Sequence, residues 1–231
     1  MEHQDLIAVW LTFKLAFATT VVLLVLGTPL AWWLARTRHP VKVFVEPLVA
    51  LPIILPPTVI GFYLLIAFAP NGIIGSWWIT LTGSPLAFTF NALVIGSVIY
   101  SLPFYVQPLQ VAFENVQQSI LDAAATLGAT PADRFFSLVI PLCRRGFITA
   151  SCLAFAHTVG EFGIVLMIGG NIAGETRVLS IALFDHVESM QYQRAHILAA
   201  GLLGFSFLLL LAVYTLNRRW QFGTTVNADR S

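Results

Sequence analysis

The chain has 231 residues, 58% of them hydrophobic and 10% charged, with a mean hydropathy of +0.83 and a formal net charge of +1. Soluble domains carry about 25% charged residues, so this composition excludes an ordinary soluble core and places the chain in a membrane class. The near-neutral balance gives no case for a nucleic-acid partner.

A helix that crosses a bilayer needs about 20 mostly apolar residues. The N-terminus opens Glu2, His3, Gln4, Asp5, without a basic region, so a cleaved signal peptide is not expected. The first span is then predicted over residues 9–35, with Lys14 near its start. The basic turn Arg36–Lys42 leads to a second span over 43–69. Pro52, Pro56 and Pro57 interrupt that span; adjacent prolines remove backbone donors and force a bend. The carbonyls they free need a protein or aqueous environment, which makes Pro56 and Pro57 candidates to line a pathway, against plain helix shaping by the bundle.

Residues 70–85 hold Asn71, Gly72, Gly75, Ser76, Gly83 and Ser84 and read as a loop. Its Trp77 and Trp78 suit an interfacial belt. A third span over 86–113 has a polar inner half, with Ser97, Tyr100, Ser101, Tyr105, Gln107 and Gln110. These side chains either line an aqueous route or hydrogen-bond between helices.

Residues 115–146 form the one long polar stretch. Most connections are about 4–6 residues, so a stretch of this length suggests a partner. Ser119 is a candidate N-cap with Asp122 in the following turn, and Ala123, Ala124 and Ala125 favour helix. Gly128 is a natural stop because it accepts a left-handed conformation. "TPAD" restarts a helix, with Thr130 as N-cap, Pro131 at the first position and Asp133 at the third. Pro141 marks the end of that helix or a kink before Arg144 and Arg145. Phe135 and Phe136 are candidate anchors for a partner.

The fourth span is predicted over 147–169. Glu161 is its one acid, and a mid-bilayer charge costs about 2.5–3.5 kcal/mol on insertion scales. His157 lies four residues earlier, on the same face of a continuous helix. The pair reads as a gate or pathway element or as a locked structural pair. Cys143 and Cys152, about 13 Å apart if on one helix, are out of disulfide reach. Residues 170–194 suggest a short amphipathic helix with Leu179, Leu183, Val187 and Met190 on its apolar side and Asp185 and Glu188 opposite. The fifth span is predicted over 195–216.

Nine of the 12 Lys and Arg residues fall on one side (Arg36, Arg38, Lys42, Arg134, Arg144, Arg145, Arg218, Arg219, Arg230). Lys14, Arg177 and Arg194 fall on the other. The basic side is expected inside, which puts the N-terminus in the periplasm and the C-terminus in the cytoplasm. The whole chain is expected to be one transmembrane domain, all-α, with a core over residues 7–217.

The segment "DAAATLGATPADRFFSLVIP" resembles the cytoplasmic motif of the permease subunits of ATP-binding-cassette importers: Glu-Ala-Ala, three residues, Gly, nine residues, Ile-x-Leu-Pro. Asp122, Ala123, Ala124, Gly128, Leu138, Ile140 and Pro141 match it with the spacing kept, Asp122, Leu138 and Ile140 as conservative departures. The resemblance implies a type I importer permease fold, and that residues 115–146 contain the helix that couples to an ATPase. "LPIILPPTVIGFYLL" and "HTVGEFGIVLMIGGNIAGETR" are similar to bacterial molybdate permeases; sulfate permeases share the Gly-Glu-Phe-Gly stretch, so sulfate and tungstate stay open as substrates. The resemblance further implies a homodimer in the bacterial inner membrane, two ABC ATPase subunits carrying ATP and Mg, and a periplasmic molybdate-binding protein.

An ATPase in this chain would need Gly-x4-Gly-Lys-[Ser/Thr]. The two lysines, Lys14 and Lys42, follow Phe13 and Val41, so the motor is expected on another protein and no cofactor, metal or catalytic residue in this one. A secondary transporter is the rival reading; such folds often carry internal repeats and midplane ionisable groups, and no repeat is visible here. An intramembrane enzyme built on His157 and Glu161 lacks an evident nucleophile or metal set.

Overall fold

The computed structural model describes the backbone of residues 3–228 and side chains as far as Thr215. The side chains of Arg218 and Arg219, and Arg230 altogether, lie outside the described residues. Every regular element among the described residues is helical. Three helices are long and apolar enough to cross a membrane, and up to five crossings result if each of two bent pairs counts as one. It is a multi-pass integral membrane protein.

α1 (His3–Arg36) has 34 residues, a length of about 51 Å, more than a bilayer core requires. It packs along α5 (Phe90–Glu114). Gly27 permits the close approach: a Cβ there would sit 2.8 Å from Tyr105 Cδ1. Small residues at such crossings let backbones meet where no hydrophobic force drives helices together. The Thr28 and Tyr105 hydroxyls, 3.0 Å apart, seal the same contact.

The second predicted span is two helices, α2 (Lys42–Ile54) and α3 (Pro57–Phe68), bent by 111°. The two prolines cause the break. Each disfavours helical backbone in the residue before it, so Leu55 (ψ 137°) and Pro56 (ψ 135°) are both extended. Pro57 then starts α3, where its missing N–H costs nothing. The expected loop at 70–85 contains a helix, α4 (Ile73–Thr82), closed by Gly83 at φ +73°. Its Gly and Ser residues read as loop, yet Gly72 and Gly75 serve a close approach to the carbonyls of residues 66–69. 

Beyond α5 come α6 (Gln118–Thr126), α7 (Pro131–Arg134), a π-helical turn (Phe135–Val139) and α8 (Ile140–Leu142). The expected Ser119 cap is not formed: Gln117 occupies the N-cap without a side-chain bond, and Ser119 lies inside the helix. The Thr130 cap is formed, and Asp133 completes a capping box. Pro141 does not end the second helix. The alternative, a kink before Arg144, is what forms: the chain bends by 73° at Cys143, ahead of α9 (Arg144–Val159).

The fourth predicted span is also broken: α9 stops at Val159 and α10 (Gly163–Gly169) restarts. The amphipathic helix is α11 (Leu179–Glu188), but its buried side is Leu179, Ile181, Ala182 and His186. Val187 and Met190 are exposed. Leu179 and Leu183 of the predicted stripe do pack inward; Met190 lies beyond the end of α11 at φ +57°, and His186, 2.9 Å from Asp5 of α1, joins the buried side. Asp185 and Arg177 bond each other at 2.9 Å. α12 (Tyr192–Ala228) is the last crossing. Cys143 and Cys152 are free thiols.

Candidate functional site

Two places carry the predicted residues. The first lies where the two helix breaks meet. α9 ends because Gly160 caps it, and Phe162 (φ −130°, ψ −56°) departs from helix. Glu161 therefore sits in an interruption rather than on the face of a helix. Gly163 allows the Pro57 break to press against it, since a Cβ there would fall 2.9 Å from Pro57 Cβ. The result is a half-open cavity of about 550 Å³ lined by Pro57, Tyr100, His157, Glu161, Gly163 and Met167, among others.

His157 and Glu161 are not a locked pair. His157 Nδ1 lies 3.0 Å from the Ser101 hydroxyl, which is 2.9 Å from that of Thr158. The imidazole stacks on Phe104 with ring centroids 3.9 Å apart. Glu161 is only 4% exposed, and neither carboxyl oxygen has a hydrogen-bond partner among the described residues. Its polar neighbours are Ser97, whose hydroxyl is likewise unbonded, and Tyr100. The main chain of the break is fixed from outside, because Ser180 donates to the Glu161 carbonyl at 2.5 Å.

Of the predicted pathway residues, Pro57, Tyr100, His157 and Glu161 thus converge on one cavity. Ser97 is fully buried and Pro56 is exposed, and neither lines it. Thr158 and Gly163 were missed. Gly163 had a visible signal: a second glycine, three residues after Gly160, inside "GEFG".

The second place is the α6–α8 segment. Asp122, Ala123, Gly128 and Pro141 are exposed, while Ala124, Leu138 and Ile140 are partly buried. Gly128 adopts φ +86°. Leu127, 89% exposed, stands at the bend, with Ile120 and Phe136 also uncovered. Phe135 is not an anchor for a partner; it is spent inside, edge-on to Trp32 at 5.3 Å. Beneath the segment, Arg36 caps α5 by donating to the carbonyls of Phe113 (3.0 Å) and Val116 (2.9 Å). Counted in the sequence only as a topological charge, Arg36 is the residue that ties α1 to the base of this segment.

The architecture matches those of known transporters. The chain superposes on the membrane chain of a bacterial ABC transporter that imports alginate, in complex with its pentasaccharide-bound periplasmic protein, with a TM-score of 0.76 and 14% identity, covering 95% of this chain and 80% of that one. The MetNI methionine ABC transporter in an inward-facing form gives 0.69 and 16%, covering 95% and 99%. Residues 27–222 match the family described as "Binding-protein-dependent transport system inner membrane component".

The chain belongs to that family of permeases.

Within it, the chain is 56% identical to the molybdenum transport system permease protein ModB of Azotobacter vinelandii, over 96% of this chain and 98% of that one. It is 32% identical to the sulfate transport system permease protein CysT of Escherichia coli, over 94% of this chain and 78% of that one. As a permease of this family it has the fold of a type I ABC importer subunit, and both singled-out places lie within the matched residues.

Proposed function

We propose that this chain is the transmembrane subunit of an ATP-driven importer that carries molybdate across the bacterial inner membrane. The identity of 56% over nearly the full length of the A. vinelandii molybdenum permease is the observation that carries the substrate; the 32% identity to the sulfate permease makes sulfate the weaker alternative. The uncovered α6–Gly128–α7 bend supports docking of an ABC ATPase: Ile120 and Leu127 on it, and Phe136 just beyond it, are all exposed.

In this reading two copies of the chain enclose the pathway, two ATPase subunits carry ATP and Mg, and a periplasmic molybdate-binding protein delivers the anion. The N-terminus is periplasmic, and the Arg36 end of the bundle faces the cytoplasm. Asp122, Ala123, Ala124, Gly128, Leu138, Ile140 and Pro141 form the coupling segment. Tyr100, His157 and Glu161 border the route.

The test is uptake into proteoliposomes holding the permease, its ATPase and its binding protein. Molybdate should accumulate only with ATP inside the ATPase compartment, and sulfate in excess should compete weakly. Uptake driven by an ion gradient without the ATPase overturns the transport class, and equal competition by sulfate overturns the substrate. Tungstate, as the closest chemical analogue, is the informative third competitor.

A further inference from the structure

A second polar cavity, about 340 Å³, lies at the Arg36 end between the last turn of α1 and the α6–α7 segment, lined by Trp32, Arg36, Gln118, Arg134 and Phe135, among others. Two guanidinium groups border one space. Neither forms a salt bridge among the described residues. Their partners are neutral: Arg36 donates to two backbone carbonyls and, at 3.2 Å, to Gln118 Oε1. Arg134 has one long bond of 3.4 Å, to the Leu121 carbonyl. The Nε atoms of both are buried without an acceptor. Asp122 is the acid nearest in the bonding network, and it accepts from Gln118 Nε2 rather than from either arginine.

Like charges around a half-open space repel, and each buried N–H without an acceptor costs free energy. A carboxylate in the chain would relieve both, and none is placed there among the described residues. The planar guanidinium fork is suited to tetrahedral oxyanions, which it can hold through paired bonds.

We infer that this cavity binds a tetrahedral oxyanion of the phosphate class, clamped between Arg36 and Arg134. The group arrives either as a free ion or on a phospholipid headgroup. Its bound oxygens bridge the end of α1 to α7 and stiffen the segment that carries Gly128. The inference rests on the proposed function only for the side of the membrane this end faces.

The experiment measures hydrogen exchange over residues 118–139 in the permease–ATPase complex, held in nanodiscs. In zwitterionic lipid, inorganic phosphate should slow exchange saturably, and Arg134→Gln should shift the midpoint upward about tenfold or more, the loss of a charge-assisted contact. Arg134→Lys, which keeps the charge, should retain part of the response and shows that folding is not the cause. In discs containing phosphatidylglycerol, protection already present before phosphate is added identifies the headgroup as the source; protection appearing only with phosphate identifies the free ion.

No response to either probe overturns the site. So does an equal phosphate response in Arg134→Gln, which places the anion on the ATPase. Loosened ATPase association in that variant, with no phosphate response in the native complex, assigns the arginines to the partner instead. Protection of Ala123–Leu127 on adding the ATPase reports docking separately, so failure of the docking and failure of the anion site are distinguishable.

Discussion

Replacing Gly128 with Ala isolates the contribution of one backbone angle to ATPase docking. Gly128 holds φ +86°, and a Cβ built there meets nothing within 4 Å. Steric overlap with neighbours is therefore absent, and the penalty is conformational: about 1–2 kcal/mol for a left-handed residue with a Cβ. Because the segment is exposed, that penalty falls on the bend itself and shifts the population away from the bent form. If docking requires the bend, ATPase affinity drops roughly 5- to 30-fold. Gly128→Asn should recover most of it, since Asn tolerates the left-handed region. The assay is equilibrium binding of the ATPase to the permease in nanodiscs, with molybdate-stimulated ATP hydrolysis alongside. Affinity of the Ala variant within twofold of the native value, or Asn no better than Ala, refutes the reasoning.

Thr12→Val tests a buried junction at the opposite end. The Thr12 hydroxyl donates to the Ala8 carbonyl and accepts the Leu179 N–H at 2.7 Å, so the substitution leaves that N–H buried and unpaired; thermal unfolding should report a loss of about 1–3 kcal/mol, and Thr12→Ser should largely restore it. The Asp133 carboxyl is held below the usual carboxylate range by the Thr130 hydroxyl and then by the Thr130 N–H. A depressed value means the cap is complete above the unfolded carboxylate value of about 3.9 and is lost as pH falls through the depressed one. Exchange protection of the Thr130 N–H, which donates to the Asp133 carboxyl, should therefore be flat from neutral down through mild acid, whereas Asp133→Ala should lack it at every pH. Glu161→Gln removes no hydrogen bond that the carboxyl oxygens make geometrically among the described residues, so the complex should assemble normally; a lowered molybdate uptake with normal assembly places Glu161 on the pathway, and full uptake would remove it.

What the sequence made legible was local chemistry. "TPAD" announces its capping box within four residues, and Gly128 announces a left-handed stop. Pro56 and Pro57 announce a break, but the 111° angle depends on Gly163 admitting the bend to α10, a contact across more than a hundred residues. The role of Arg36 was hidden for the same reason, since its acceptors lie 77 and 80 residues away. The expectation that His157 and Glu161 share a face assumed a continuous helix; Gly160 ends it, and the carboxyl turns toward Ser97 and Tyr100 instead. The α4 helix was missed because its glycines read as turn residues when they are close-approach residues.

The two places identified are joined by one rigid element. α9 begins at Arg144, directly after the bend that closes the α6–α8 segment, and ends at Val159, directly before the break that holds Glu161. Its 16 residues span about 24 Å. α5 runs beside it, with Ser101 bonded to His157 and Thr158 at one end and Ala112 against Gly146 at the other. A Cβ on Gly146 would fall 2.4 Å from that of Ala112, so the lower contact is tight and resists sliding. α9 is thus held to α5 at both of its ends. At its far end lies the glycine-flanked break, where the Glu161 N–H bonds the Thr158 carbonyl and Ser180 holds the Glu161 carbonyl. An unpaired acid and two helix interruptions therefore lie together at the far end of α9 instead of along its length.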